Sequence, residues 1–197
     1  NTKEEKRQEM KPTVYVLLLR GINVGGNQII RMADLKEVLS RTGLMEDVET
    51  YIQSGNVLFT TTQTDRKLLS DGIAQALKEN FGYQSGVFLF TSQEVDSIIS
   101  SAPQGFGSSP DLYRYDVIYL DGLLDADDIE KLIPIRQGVD QLNSGNKAIY
   151  FSRLISEAGK SYLSKIVSLP FYKSVTVRNW NTTVKLQVLA KGKIAHD

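Results

Sequence analysis

The sequence predicts an α+β chain built from two β-α-β-β-α-β-α units in tandem. Three observations carry that prediction. Strand-like and helix-like periodicities alternate in the same order twice. A proline-, glycine- and serine-rich stretch, P-Q-G-F-G-S-S-P (103–110), separates the two series. An S-G-N turn falls at the equivalent place in each, at 54–56 and at 144–146.

The elements follow in order. T-V-Y-V-L-L-L (13–19) is a strand, apolar on both faces and so buried on both. Met32, Leu35, Val38 and Leu39 recur at helical spacing until Gly43 stops the helix. Val48, Tyr51 and Ile52 open a second strand, Q-S-G-N (53–56) turns it, and V-L-F-T-T (57–61) returns as a third. Leu68, Leu69, Ile73, Ala76 and Leu77 form a helix closing near Gly82, and V-F-L-F (87–90) is a fourth strand. T-S-Q-E (91–94) is a capping box with Thr91 as N-cap, opening a helix through Val95, Ile98 and Ile99.

Beyond the break, Y-D-V-I-Y-L (115–120) is a strand and Asp125 to Ile133 a short helix. Residues 141–151 form a hairpin, and Tyr162, Ile166 and Leu169 suggest a helix. S-V-T-V-R (174–178) is a strand, and 182–191 a closing helix capped by Asn181 or Thr182. The order β-α-β-β-α-β is the ferredoxin-like arrangement, so the expected fold is a duplicated ferredoxin-like α+β protein. Its expected parts are a frayed charged tail (1–11), a first half (12–102), a linker (103–110) and a second half (111–197).

Topology then places the candidate site. A right-handed crossover makes the first two strands parallel, with the third between them. The loop after the first strand and the hairpin after the second therefore leave the same end of the sheet. Arg20–Gly26 and Gln53–Asn56 are expected to be neighbours, although 30 residues apart. Arg178–Asn181 should leave the opposite end of its own sheet.

Composition narrows the chemistry. Lys+Arg and Asp+Glu both total 23, and the pI is about 6.8. That balance does not favour nucleic acid, whose binders concentrate positive charge. There is no cysteine, hence no thiol nucleophile or thiolate metal site, and the single histidine is His196 at the end of the sequence. No cofactor and no metal site is expected. The N-terminal residues have no apolar core of a signal peptide, and no apolar run approaches the roughly 18 residues that span a bilayer. A cytoplasmic location, with no membrane partner, is the expectation.

In R-G-I-N-V-G-G-N-Q (20–28), glycine amides can converge on an anion, a helix N-terminus follows, and Arg20 offers a bidentate fork. The same residues equally suit a sharp turn with Arg20 in an internal bridge. Gln53, Ser54 and Asn56 offer polar groups to that end, though Ser, Gly and Asn are also what a tight turn needs. Arg178, Asn179, Trp180 and Lys185 offer cations around the one tryptophan, which also suits a core anchor. G-K-S (159–161) lacks the upstream glycine of a P-loop. Tyr15, Phe59 and Tyr119 lack the signature of an RNA-binding sheet.

L-L-R-G-I-N-V-G-G, Y-I-Q-S-G-N-V-L-F and V-R-N-W-N-T-T-V-K-L, in that order, closely resemble the signatures of a bacterial family, domain of unknown function 1697. The resemblance runs from about Val14 to Ala190, and is weaker at 100–115 and at the second S-G-N. It implies paired ferredoxin-like halves and no established activity, cofactor or catalytic residue. It places Arg20, Gly21, Asn23, Gly25, Gly26, Gln53, Ser54, Asn56, Arg178, Asn179 and Trp180 in the family's motifs.

The leading functional expectation is a binding module for a small anionic, phosphate-bearing ligand at the 20–28 loop and the 53–56 hairpin. One alternative is an acylphosphatase-like hydrolase using Arg20 with Asn23 or Asn56, an analogy at the level of fold. Another is a nucleic-acid or protein interaction module around Arg178, Trp180 and Lys185.

Overall fold

The structure, a computed structural model, describes residues 10–23, 26 and 28–194. Most of the tail expected over 1–11, and Gly25, lie outside the described residues.

The chain is a mixed α+β protein with two four-stranded antiparallel sheets. Strand β1 (Thr13–Leu19) is followed by α1 (Met32–Ser40), β2 (Glu46–Tyr51), β3 (Asn56–Thr61), α2 (Arg66–Phe81), β4 (Val87–Thr91) and α3 (Ser92–Ser100). Then come β5 (Tyr113–Leu120), α4 (Ala126–Glu130), β6 (Asp140–Ser144), β7 (Ala148–Leu154), β8 (Val175–Asn179) and α5 (Trp180–Ile194). The sheets run β2-β3-β1-β4 and β6-β7-β5-β8. In each, the third strand lies between the first two, which are therefore parallel.

Local rules explain most boundaries. Gly82 adopts φ +64 and ends α2 as a left-handed cap. Thr91 caps α3 by accepting from the Glu94 amide at 3.1 Å. The Glu94 carboxylate does not complete the capping box; it pairs with Arg66 and Lys147 instead. Asn179, not Asn181 or Thr182, caps α5, accepting from the Thr182 amide at 2.8 Å.

The helix expected around 162–169 does not form. Residues Ile155–Lys160, Leu163–Ser168 and Tyr172–Ser174 are short 3₁₀ segments instead. Pro170 bars helical geometry at Leu169, and the serines at 161, 164 and 168 favour local turns over a continuous helix.

Alternation along the strands sorts the core into layers. Leu17, Leu19, Val57, Phe59 and Leu89 face α1 and α2. Val16, Leu18, Leu58, Phe88 and Phe90 face a middle layer formed by α3 and α5. Val117, Tyr119, Ala148 and Tyr150 of the second sheet face that same layer. The far side of the second sheet packs Ile118, Leu120, Ile149 and Phe151 against α4 and the 3₁₀ segments. Tyr15, Phe59 and Tyr119 are all buried, so neither sheet presents them as stacking platforms. No described helix is long and apolar enough to cross a membrane.

Candidate functional site

The β1–α1 loop and the β2–β3 hairpin meet at one end of the first sheet. Asn23, at φ +54, closes the loop on itself: its side chain donates to Ile30 O at 2.9 Å and accepts from Ile30 N at 2.8 Å. The same Nδ2 reaches across to Gln53 O at 2.7 Å, and Leu19 N donates to Gly55 O at 2.9 Å. Gly21 and Gly26 adopt φ +69 and +76 with open space where a Cβ would project. They are needed for backbone geometry rather than for close packing. Their amides make no hydrogen bond to another described residue.

Arg20 stands at the mouth of this loop. Its Nε donates to Ser85 O at 3.1 Å and its Nη1 to Tyr172 O at 2.6 Å, with the guanidinium carbon 4.7 Å from the Tyr172 ring centroid. Its backbone amide donates to the Tyr83 hydroxyl at 2.8 Å. Among the described residues Nη2 has no partner. The Gln53 side chain is exposed and makes no hydrogen bond to a described residue.

Arg178 arrives from the second sheet and is buried, 8% exposed. Its Nε donates to Asn56 Oδ1 at 2.7 Å; Nη1 donates to Thr176 Oγ1 and Val177 O, both at 2.9 Å. Nη2 donates to Leu19 O at 2.6 Å and to Ser54 O at 3.0 Å. All five N–H donors are thus taken by the protein, leaving none for a ligand. Asn56 is fully buried, and its Nδ2 donates to Tyr51 O and Ser54 Oγ. Burial pulls the Arg178 guanidinium down to about 10, opposed by Tyr119 and Tyr83, so it is still a cation at neutral pH.

Neither Arg20 nor Arg178 pairs with a described carboxylate. Two guanidiniums thus serve one sheet end with no described carboxylate within ion-pair distance of either. Strain marks the same end. Ile52, β-branched and half exposed, adopts φ +50, a conformation that costs such a residue roughly 1–3 kcal/mol.

The remaining predicted residues lie elsewhere. Trp180 is partly buried, with its ring edge-on to Phe106 at 5.1 Å between centroids. A Cβ on Gly107 would come within 2.4 Å of its indole nitrogen. Lys185 is exposed further along α5, so Arg178, Trp180 and Lys185 form no common surface. Sequence reasoning missed Tyr83, Ser85 and Tyr172, which hold Arg20. Only the tyrosines carried a signal, as aromatics whose hydroxyl seeks a partner when the ring is covered.

The family model described as a protein of unknown function, DUF1697, matches residues 12–150. The chain belongs to that family. The first two motifs lie inside the match and Val177–Leu186 beyond it. No curated protein matches the chain. Among solved structures, the conserved bacterial protein SP0830 from Streptococcus pneumoniae is 28% identical, with a TM-score of 0.79 over 91% of this chain and 99% of that one. The first two RRM domains of the yeast poly(U) binding protein align at 14% identity over 85% of this chain and 98% of that one. Their TM-score is 0.23. That likeness carries no argument.

Proposed function

We propose that the sheet end formed by the β1–α1 loop and the β2–β3 hairpin binds a small anionic, phosphate-bearing ligand. The observation that carries this reading is the pair of guanidiniums, Arg20 and Arg178, without a carboxylate partner among the described residues. Arg178 supplies fixed positive charge from beneath, and Arg20 supplies the donors. The Gly21 and Gly26 amides and the Gln53 side chain complete the contacts. Charge-assisted hydrogen bonds contribute roughly 1.5–3 kcal/mol each, so two or three on a preorganised loop reach the roughly 4 kcal/mol of millimolar binding. The Asn23–Ile30 closure supports that preorganisation.

Binding is favoured over hydrolysis. An acylphosphatase-like step needs an asparagine free to orient water, whereas Asn23 and Asn56 already spend their amide groups on the loop and on Arg178. We further infer a duplicated ferredoxin-like origin for the two sheets, supported by their matching strand order.

Isothermal titration with inorganic phosphate, nucleotides, sugar phosphates and acyl phosphates tests the proposal. At least one class should bind below about 1 mM, and Arg20→Gln should weaken it by about tenfold or more. Absence of binding by every class at that concentration refutes it.

A further inference from the structure

A cavity of about 370 Å³ opens at the start of β5, beside the N-terminus of α5. Tyr113, Trp180 and Ile155 give it apolar walls, and Arg114, Asp116 and Arg153 charge it. Asp116 Oδ2 and Arg153 Nε are buried without any hydrogen-bond partner. None of the three side chains forms an ion pair with a described residue. An unpartnered buried polar group costs a fold stability and calls for a reason beyond it.

Register places the three on one sheet face. Arg114 lies opposite Arg153, and Asp116 lies opposite Phe151, two residues along β7 from Arg153. Asp116 and Arg153 are therefore diagonal neighbours, and they do not come within ion-pair distance of each other. Burial raises the Asp116 carboxyl above its ordinary value, against the pull of Arg153 and Arg114.

We propose that this cavity binds a small zwitterion, a free α-amino acid with an aromatic or branched side chain. Its ammonium donates to Asp116, and its carboxylate accepts from Arg153 and Arg114. Its side chain lies against Ile155 and reaches Trp180 over the edge of β5 that β8 leaves unpaired before Asp116. Two cations and one anion around an apolar wall match that ligand better than a simple anion, which would face the Asp116 carboxylate. The site is independent of the Arg20 loop and does not rest on the function proposed there.

Titration calorimetry of the wild-type chain with the free L-amino acids tests this, each beside its N-acetyl and methyl-ester derivatives. At least one aromatic or branched amino acid should bind at or below about 1 mM. Blocking either end should weaken it by about tenfold or more. Asp116→Asn should weaken binding to a similar degree with no drop in Tm, and Arg20→Gln should leave it unchanged. The proposal fails if no free amino acid binds at about 10 mM. It also fails if blocked forms bind as well as free ones, or if Asp116→Asn retains full affinity.

Discussion

Arg178 shows how one residue ties distant segments together. Its guanidinium meets Asn56, 122 positions away, and the carbonyls of Leu19 and Ser54. A planar fork with five donors fits this arrangement, and a lysine ammonium with three does not. Arg178→Ala strands buried acceptors and is expected to cost about 3 kcal/mol or more; Arg178→Lys should recover only a minor part, measured by urea denaturation. Neither the burial nor the cross-sheet contact is legible in V-R-N-W-N, because a local motif does not say how two sheets dock. Asn23 was legible as a candidate site asparagine in the loop, not as the residue that closes it. Its pairing with Ile30 depends on φ values that sequence does not display. The Arg114–Asp116–Arg153 cluster was also invisible, since Arg153 lies 37 residues from Asp116 in sequence and meets it only through the β5–β7 register.

Among elements, the hairpins and caps were the most readable. S-G-N marks both turns, but only in the first does its glycine take a left-handed conformation; in the second, Lys147 takes it at φ +61. Gly55 needs a second property as well. It adopts φ +80, and a Cβ there would lie 2.8 Å from Ile22 Cδ1 and 2.9 Å from Leu19 Cβ. Gly55→Ala therefore forces the hairpin away from the β1–α1 loop. The expected loss is about 1–3 kcal/mol, together with weaker anion binding, whereas Gly43→Ala, with open space around it, should cost only backbone strain. Thermal denaturation of the two variants separates these effects. Tyr162, Ile166 and Leu169 keep helical spacing, yet the stretch forms 3₁₀ turns. Local serines and Pro170 outweighed that pattern.

Across the whole molecule, the middle layer makes the two sheets one cooperative body. Helix α5 lies between them, and its buried Lys193 reaches back to Asp47 at 2.9 Å and Glu49 at 3.2 Å on β2. A single unfolding transition is expected in calorimetry, and residues 12–102 alone should not fold stably, since without α5 and the second sheet only α3 covers Leu18, Leu58 and Phe90. Glu94 adds a pH dependence. Burial alone would raise its carboxyl, but the Arg66 hydrogen bond and charge, with Lys147, outweigh burial and hold it below the ordinary value. A depressed carboxylate contributes stability above its unfolded value of about 4.3, and that contribution disappears as pH falls through the folded value. Glu94→Gln should thus flatten the acid limb of the stability profile below about pH 4.3 and change little in its slope near pH 7.

The positive sheet end is the account's central claim, and an amide-resolved NMR titration with inorganic phosphate tests it most directly. The account predicts saturable shifts at Gly21, Gly26 and the Gln53 side chain, abolished in Arg20→Gln. Shifts confined to other surfaces, or none at those three sites, would contradict it.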